Sequence, residues 1–312
     1  MPPQRAVFVA ALSAVAVAVA VAAWRRRRRM VRFPPPAIVI SLAARFPAKC
    51  KAALQRCADA GLTAVELLEA VDARELSHDE LARRGVRTYA GWKLESSSFR
   101  FFNRDLKWGE IGCGLSHAAA WSRVSSLSVP CAVILEDDVD FMPDFCDLLR
   151  YALVEAAALA RAGVVSQPDA LYLCRKAMRP ENDVLLPLSS DYVAAVGDGG
   201  SAWAGGRKAS GRRVSLVVPG FSYKTTAYVL WTSGARKLLA SGYTGKLIPV
   251  DDFLALTYAR HEAKVGEARP DLDALFQSAP RLNMLATRPQ LCRERRGVSA
   301  TENSPPISAP PR

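Results

Sequence analysis

Two acidic clusters in this chain have the residue types and spacing to do chemistry. Glu136, Asp137 and Asp138 close the apolar run CAVIL at residues 131–135, within the block VILEDDVDF, and Asp251 with Asp252 follows a short apolar stretch in IPVDDFL. Adjacent anions repel one another unless a cation or solvent screens them. Hard oxygen donors of this kind suit Mg²⁺ or Mn²⁺ rather than zinc. An EF-hand is excluded, because Met142 and Pro143 stand where its loop needs an oxygen ligand and a glycine. A plainer alternative is that the acidic turn only caps the helix that Asp144 opens and stays solvated.

The elements that would have to position these groups are legible as periodicity. Residues 37–42 (AIVISL) form a continuous apolar, β-branched run and predict a buried strand, followed after Pro47 by a helix to about residue 60 with Gly61 as its stop. Residues 64–68 predict a second strand. Ser77 with Glu80 makes a capping box for a short helix, and residues 114–126 carry helical apolar spacing. Residues 131–135 predict a strand that ends in the acidic cluster, and a helix runs from Asp144 to about residue 162. Further strands are expected at 169–173, 214–218 and 228–231, and helices at 233–241 and 252–261. Strands alternating with helices predict an α/β fold with a mostly parallel central sheet flanked by helices, and ligands collect beyond the carboxyl ends of strands in such sheets.

The Gly/Ser/Arg-rich stretch at 189–213 is expected to be a mobile surface loop, and residues 286–312, basic and Pro-rich, a disordered tail. The folded domain is therefore expected at 37–285. Residues 1–36 precede it as an uncharged apolar segment at 6–24, an arginine run at 25–29 and the linker Phe33-Pro34-Pro35-Pro36. The apolar segment is long enough for a hydrophobic helix crossing a bilayer, with a cleaved signal peptide as the alternative. An anchor implies single-pass membrane association in the ER or Golgi, whereas the arginine run favours a cytosolic-facing orientation.

The formal charge of +12 (42 Lys and Arg against 30 Asp and Glu) suits an anionic membrane surface or an anionic small molecule such as a nucleotide diphosphate. There is no aromatic-interleaved basic stripe, zinc-knuckle spacing or basic zipper, so no nucleic-acid partner is expected. Seven cysteines without a CxxC pair indicate neither a zinc site nor a disulfide framework, and a single unassigned disulfide stays open.

Four blocks in order, GEIGCGLSHAAAW, YLCRKAM after VILEDDVDF, TTAYVLWTSGARKLL and IPVDDFL, resemble the glycosyltransferase 25 family, which includes bacterial lipooligosaccharide galactosyltransferases and procollagen galactosyltransferase domains. The resemblance implies a GT-A-like fold, a UDP-sugar donor (most often UDP-galactose), Mn²⁺, a protein or glycan acceptor, and inversion at the anomeric carbon. It places Glu136, Asp137 and Asp138 at the family's metal motif, and Asp251 or Asp252 as the base, Asp251 preferred. Ser116 and His117 match a recurring Ser-His pair that would line the donor site. Glu110 is expected at the donor ribose or its loop, and Arg45, Arg175 and Lys176 beside the diphosphate. Ala43 and Ala44 stand where the family has paired arginines. That departure keeps two other readings in view: a pseudo-transferase acting as a scaffold, and a metal-dependent nucleotide or phosphodiester hydrolase.

Overall fold

A computed structural model describes residues 33–188, 214–261, 269–295, 301 and 303–309. Its centre is an eight-stranded sheet of order β2-β1-β3-β8-β5-β9-β7-β6. The strands are β1 (Ala37–Ser41), β2 (Val65–Glu69), β3 (Cys131–Glu136), β5 (Ala170–Ala177), β6 (Val184–Leu185), β7 (Ser215–Val218), β8 (Ser222–Trp231) and β9 (Met284–Arg288). A separate antiparallel pair joins β4 (Val139–Phe141) to β10 (Cys292–Glu294).

The α/β layering agrees with the pattern in the sequence, and the strand directions do not. β1 runs parallel to β2 and β3, and β5 parallel to β9, but β8 lies antiparallel between β3 and β5, and β7 is antiparallel to both β9 and β6. The sheet is mixed rather than mostly parallel. An apolar run such as residues 131–135, buried on both faces, has the same composition in either direction, so periodicity cannot read orientation.

Side chains alternate between two cores. Ile38, Ile40, Ile134, Tyr172, Tyr228 and Leu230 point to one face, and Val39, Val133, Leu135, Leu171 and Val229 to the other. On the second face lie α1 (Pro47–Asp59) and α4 (Phe145–Arg161). Proline starts α1, Cys50, Ala53 and Cys57 form its buried stripe, and Gly61 at φ 86° lets the chain turn away at its end. The first face carries α3 (Trp108–Ser125), α5 (Thr232–Ala240) and α6 (Val250–Leu256), with α3 packed on α5. The short α2 (His78–Arg83) begins at the expected cap, where Ser77 Oγ accepts from Glu80 N–H at 3.1 Å. The last helix, α7, spans Pro270–Leu275.

α3 begins six residues earlier than its apolar spacing suggests, because Glu110 caps it by accepting from Lys107 N–H at 2.8 Å. α6 is shorter than expected and ends before His261, which instead packs on Phe102 and Phe221. The uncharged segment at 6–24 and the loop at 189–213 lie outside the described residues. Among the described residues, no helix is long and apolar enough to cross a membrane.

The chain after residue 285 departs from the expected disorder. It completes β9 and forms β10, with Leu291 and Cys292 buried. Residues 301 and 303–309 then lie as a strap across the start of α3. Trp108 N–H donates to Pro305 O at 3.0 Å, Gly109 N–H to Ser304 Oγ at 2.8 Å, Trp108 Nε1–H to Ala309 O at 2.6 Å, and Ile307 N–H to Leu106 O at 2.7 Å. A helix start leaves N–H groups without intrahelical acceptors, and proline carbonyls are acceptors on a segment that needs few donors satisfied in return.

Gly109 is what lets the strap approach so closely: a Cβ there would stand 2.6 Å from both Ser304 Oγ and the Thr301 Cα. Gly109→Ala is therefore expected to lift the strap at a cost of roughly 1–3 kcal/mol. Accelerated proteolysis near residue 301 together with a lowered melting temperature would confirm this; unchanged cleavage would refute it.

Candidate active site

The antiparallel β8 builds the site. Its register sets Ala227 opposite Leu135 on β3 and Tyr223 opposite Lys176 on β5, so the first residues of β8 meet the carboxyl ends of two other strands. Lys224 there adopts φ 82°, an uncommon conformation for a residue with a Cβ, at an irregularity in the β5–β8 ladder. The first turn of α6 supplies Asp251 and Asp252 from the opposite side, after Pro249.

These elements enclose an open cavity of about 1190 Å³, whose lining includes Glu136, Asp138, Asp251, Asp252, Glu110 and Glu294. Lys176, Lys224, Arg100, Arg104 and Lys107 are the basic side chains on its walls, and Phe99, Phe101 and Tyr223 the aromatic ones. Thr301 and Asn303 of the strap contribute to the same wall.

The carboxylates are electrostatically coupled. Burial and the neighbouring Glu136 push Asp138 up to about 7, and its Oδ1 is buried without a hydrogen-bond partner among the described residues. Burial and Glu136 likewise push Asp251 up to about 6, partly offset by Thr225. Asp252 is fully buried and raised further by burial and by Asp251, with the Tyr223 hydroxyl offsetting only part of this. Glu136 goes the other way: burial opposes its ionisation, but hydrogen bonds from His117 and Thr225 outweigh it and hold the group below the usual glutamate range. Thr225 Oγ1 stands 2.7 Å from Glu136 Oε1 and 3.0 Å from Asp251 Oδ1, joining β3 to α6.

Of the residues that the sequence singled out, Glu136, Asp138, Asp251, Asp252, Glu110 and Lys176 come together around this cavity. His117 lies directly behind, its Nε2 3.3 Å from Glu136 Oε1. Four others are placed elsewhere. Asp137, in the turn that follows β3, faces β1 and α1, accepting from Ser41 Oγ at 2.7 Å and pairing with Lys49 Nζ at 2.5 Å. Arg45 pairs with Asp72 at 3.5 Å beside Phe46. Ser116 accepts from Val71 N–H at 2.8 Å and donates to Gly112 O at 2.7 Å, fastening the loop after β2 to α3. Arg175 is buried in an ion pair with Asp183 and donates to Ser222 Oγ at 2.8 Å. None of these four lines the cavity.

Thr225, Tyr223, Lys224 and Arg104 were missed by sequence reasoning. The first three lie at the start of β8, whose strand signal is clear only at residues 228–231; the adjacent threonines in TTAYVLW were the one local hint. Arg104 reaches the wall through its ion pair with Glu110, a contact spaced six residues apart across a helix start.

Glu136, Asp138 and Asp251 bring hard carboxylate oxygens to one cavity, and Asp138 Oδ1, buried without a partner among the described residues, is the kind of donor a small divalent cation takes. Fold and cleft together define an α/β domain with a carboxylate-centred site at the strand ends. Residues 36–177 match the family described as "Glycosyltransferase family 25 (LPS biosynthesis protein)". The chain is 36% identical over 221 residues to a "Glycosyltransferase 25 family member" of Drosophila pseudoobscura pseudoobscura, covering 70% of this chain and 30% of that protein. It is 32% identical over 243 residues to the "Probable inactive glycosyltransferase 25 family member 3" of Rattus norvegicus, covering 77% and 36%. The human "Inactive glycosyltransferase 25 family member 3" is 32% identical over 245 residues, covering 73% and 35%. The chain belongs to glycosyltransferase family 25. It spans about a third of the length of these curated relatives.

The raised Asp138 fixes a sign for pH dependence. The folded state holds the proton between the ordinary value of 3.8 and about 7, so stability falls as pH rises through that window. Asp138→Asn is expected to stabilise the protein by roughly 1–3 kcal/mol at about pH 8 and negligibly at about pH 4. Added Mn²⁺ should stabilise the unsubstituted protein more than the variant. Thermal melts across pH with and without the cation measure this, and a variant no more stable than its parent at high pH would refute it.

Proposed function

We propose that the cleft transfers a hexose, most simply galactose, from a UDP-sugar to a hydroxyl of a protein or glycan acceptor, with inversion and with a divalent cation. The observation that carries the reading is the convergence of Glu136, Asp138, Asp251 and Asp252 with Lys176 and Lys224 around one cavity. Family membership supports transfer of a sugar in general; donor, cation and stereochemistry are our inference.

In this reading the acceptor hydroxyl oxygen attacks the anomeric carbon while the bond from that carbon to the diphosphate oxygen breaks. Asp251 accepts the hydroxyl proton: pushed up to about 6, it is ionised at neutral pH and a stronger base than an ordinary aspartate. Lys176 offers positive charge to the phosphates, and Lys224 would do so in exchange for its ion pair with Glu294. Glu136 and Asp138 would hold Mn²⁺ or Mg²⁺, which when bound takes up charge on the departing UDP. Asp252, more deeply buried and raised further, stands behind Asp251 and is the second candidate for the base. The apolar segment at residues 6–24 would tether the domain at a membrane.

A second reading, a fold retained for binding without turnover, is favoured by the relatives that carry "inactive" in their names. Measuring UDP release from several UDP-hexoses separates the two. The transferase reading expects Mn²⁺-dependent, acceptor-stimulated release that drops at least about a hundredfold in Asp138→Ala and in Asp251→Asn. Tight UDP binding without turnover would support the scaffold reading, and rapid release indifferent to acceptor a hydrolase.

A further inference from the structure

Behind the cleft, three fully buried side chains on α3 and β8 make a hydrogen-bond series that the proposed chemistry does not itself use. Trp121 Nε1–H donates to Tyr228 Oη at 2.9 Å, Tyr228 Oη lies 3.0 Å from His117 Nδ1, and His117 Nε2 lies 3.3 Å from Glu136 Oε1. His117 stacks on Tyr228 with ring centroids 5.9 Å apart, so the imidazole plane is fixed as well.

We propose that Trp121, Tyr228 and His117 form a relay of fixed direction that orients Glu136 for a hard divalent cation, making Tyr228 and His117 positioning residues of the cleft. The proposal rests on the cation reading given above. Its direction follows from counting donors. An indole N–H can only donate, so Tyr228 Oη receives the Trp121 proton and has one proton of its own to place. Among the described residues its remaining partner is His117 Nδ1. A proton on Nδ1 would face the tyrosine's own and leave a buried donor unsatisfied, at a cost of about 1–3 kcal/mol. Tyr228 therefore donates to Nδ1, the imidazole proton sits on Nε2, and Nε2–H donates to Glu136 Oε1.

Two consequences bear on metal choice. Glu136 Oε1 faces His117 Nε2 and the Thr225 hydroxyl, whose one proton is shared with Asp251, so Oε2 is the oxygen left for a ligand in the cavity. Cys113 Sγ, a His117 ring nitrogen and a Glu136 oxygen lie within 4.8 Å of one another, a spacing that would suit a thiophilic ion such as Zn²⁺. A proton on Nε2 removes that nitrogen's lone pair from the set. The relay thus presents carboxylate oxygen to Mn²⁺ or Mg²⁺ and withholds imidazole nitrogen from zinc.

The tautomer is directly measurable by nitrogen NMR on histidine-labelled full-length protein, where His117 should be neutral and protonated on Nε2. A bare Nε2, or a doubly protonated ring, overturns the assigned direction. Calorimetric titration with Mn²⁺ tests the positioning role: Tyr228→Phe and Thr225→Val should each weaken binding by about tenfold to a hundredfold. Thr225→Ser should restore it. Tyr243→Phe is the comparison: it removes an equally buried hydroxyl that donates to Ile248 O at 2.8 Å outside the relay, and it should leave Mn²⁺ affinity unchanged. Should Tyr228→Phe fail to fold, the His117 tautomer carries the test alone. Variants that lose thermal stability but keep Mn²⁺ affinity within about twofold overturn the positioning role. An unsubstituted protein that binds no Mn²⁺ overturns instead the cation reading on which it rests.

Discussion

Mutual repulsion among carboxylates is the constraint around which the centre of this fold is arranged. Glu136, Asp138, Asp251 and Asp252 share one partly enclosed space, and burial makes each additional negative charge harder to hold. The structure meets this with a graded response. Glu136 is given donors and stays ionised, Asp251 shares Thr225 with it, and Asp138 and Asp252 are left short of partners. A set of anions held in this graded way is a poor design for stability and a good one for taking up positive charge. Lys224, one of the lysines on the walls, is itself ion-paired with Glu294, a further carboxylate of the same cavity.

β8 makes this geometry possible. Had it run parallel to β3, its first residues would have emerged at the opposite edge of the sheet, and Tyr223, Lys224 and Thr225 would be remote from Glu136. Antiparallel placement instead brings four residues of one strand, 223–226, to the cleft while its second half anchors both cores. The price is a ladder irregularity and a left-handed lysine at the point of entry.

How much of this was legible in the sequence depended on the range of the interaction. Elements with strong local signals, such as α1 between Pro47 and Gly61 or β3 ending in its acidic cluster, lie close to where periodicity places them. Strand direction was invisible, because apolar residues buried on both faces carry no arrow. The acidic cluster was found by composition, yet composition could not separate Asp137 from its neighbours; contacts with Ser41 and Lys49, far away in the sequence, assign it to β1 and α1 instead of the cavity. Arg175 illustrates the same limit. A basic residue near a strand end is an attractive phosphate ligand until Asp183, eight positions on, is seen to occupy it. Ordered proline-rich chain at 303–309 was hidden for a related reason: its stability comes from the unsatisfied start of a helix nearly two hundred positions earlier.

That separation has a temporal side. Gly109 and Ser304 are 195 positions apart, and at a synthesis rate of about 5–20 residues per second the chain grows for about 10–40 s between the appearance of one and the other. Throughout that interval the start of α3 lacks its acceptors and the cleft lacks a side. Glu136 and Asp138 are thus synthesised well before Thr301 and Asn303, the strap residues that complete the wall of their cavity.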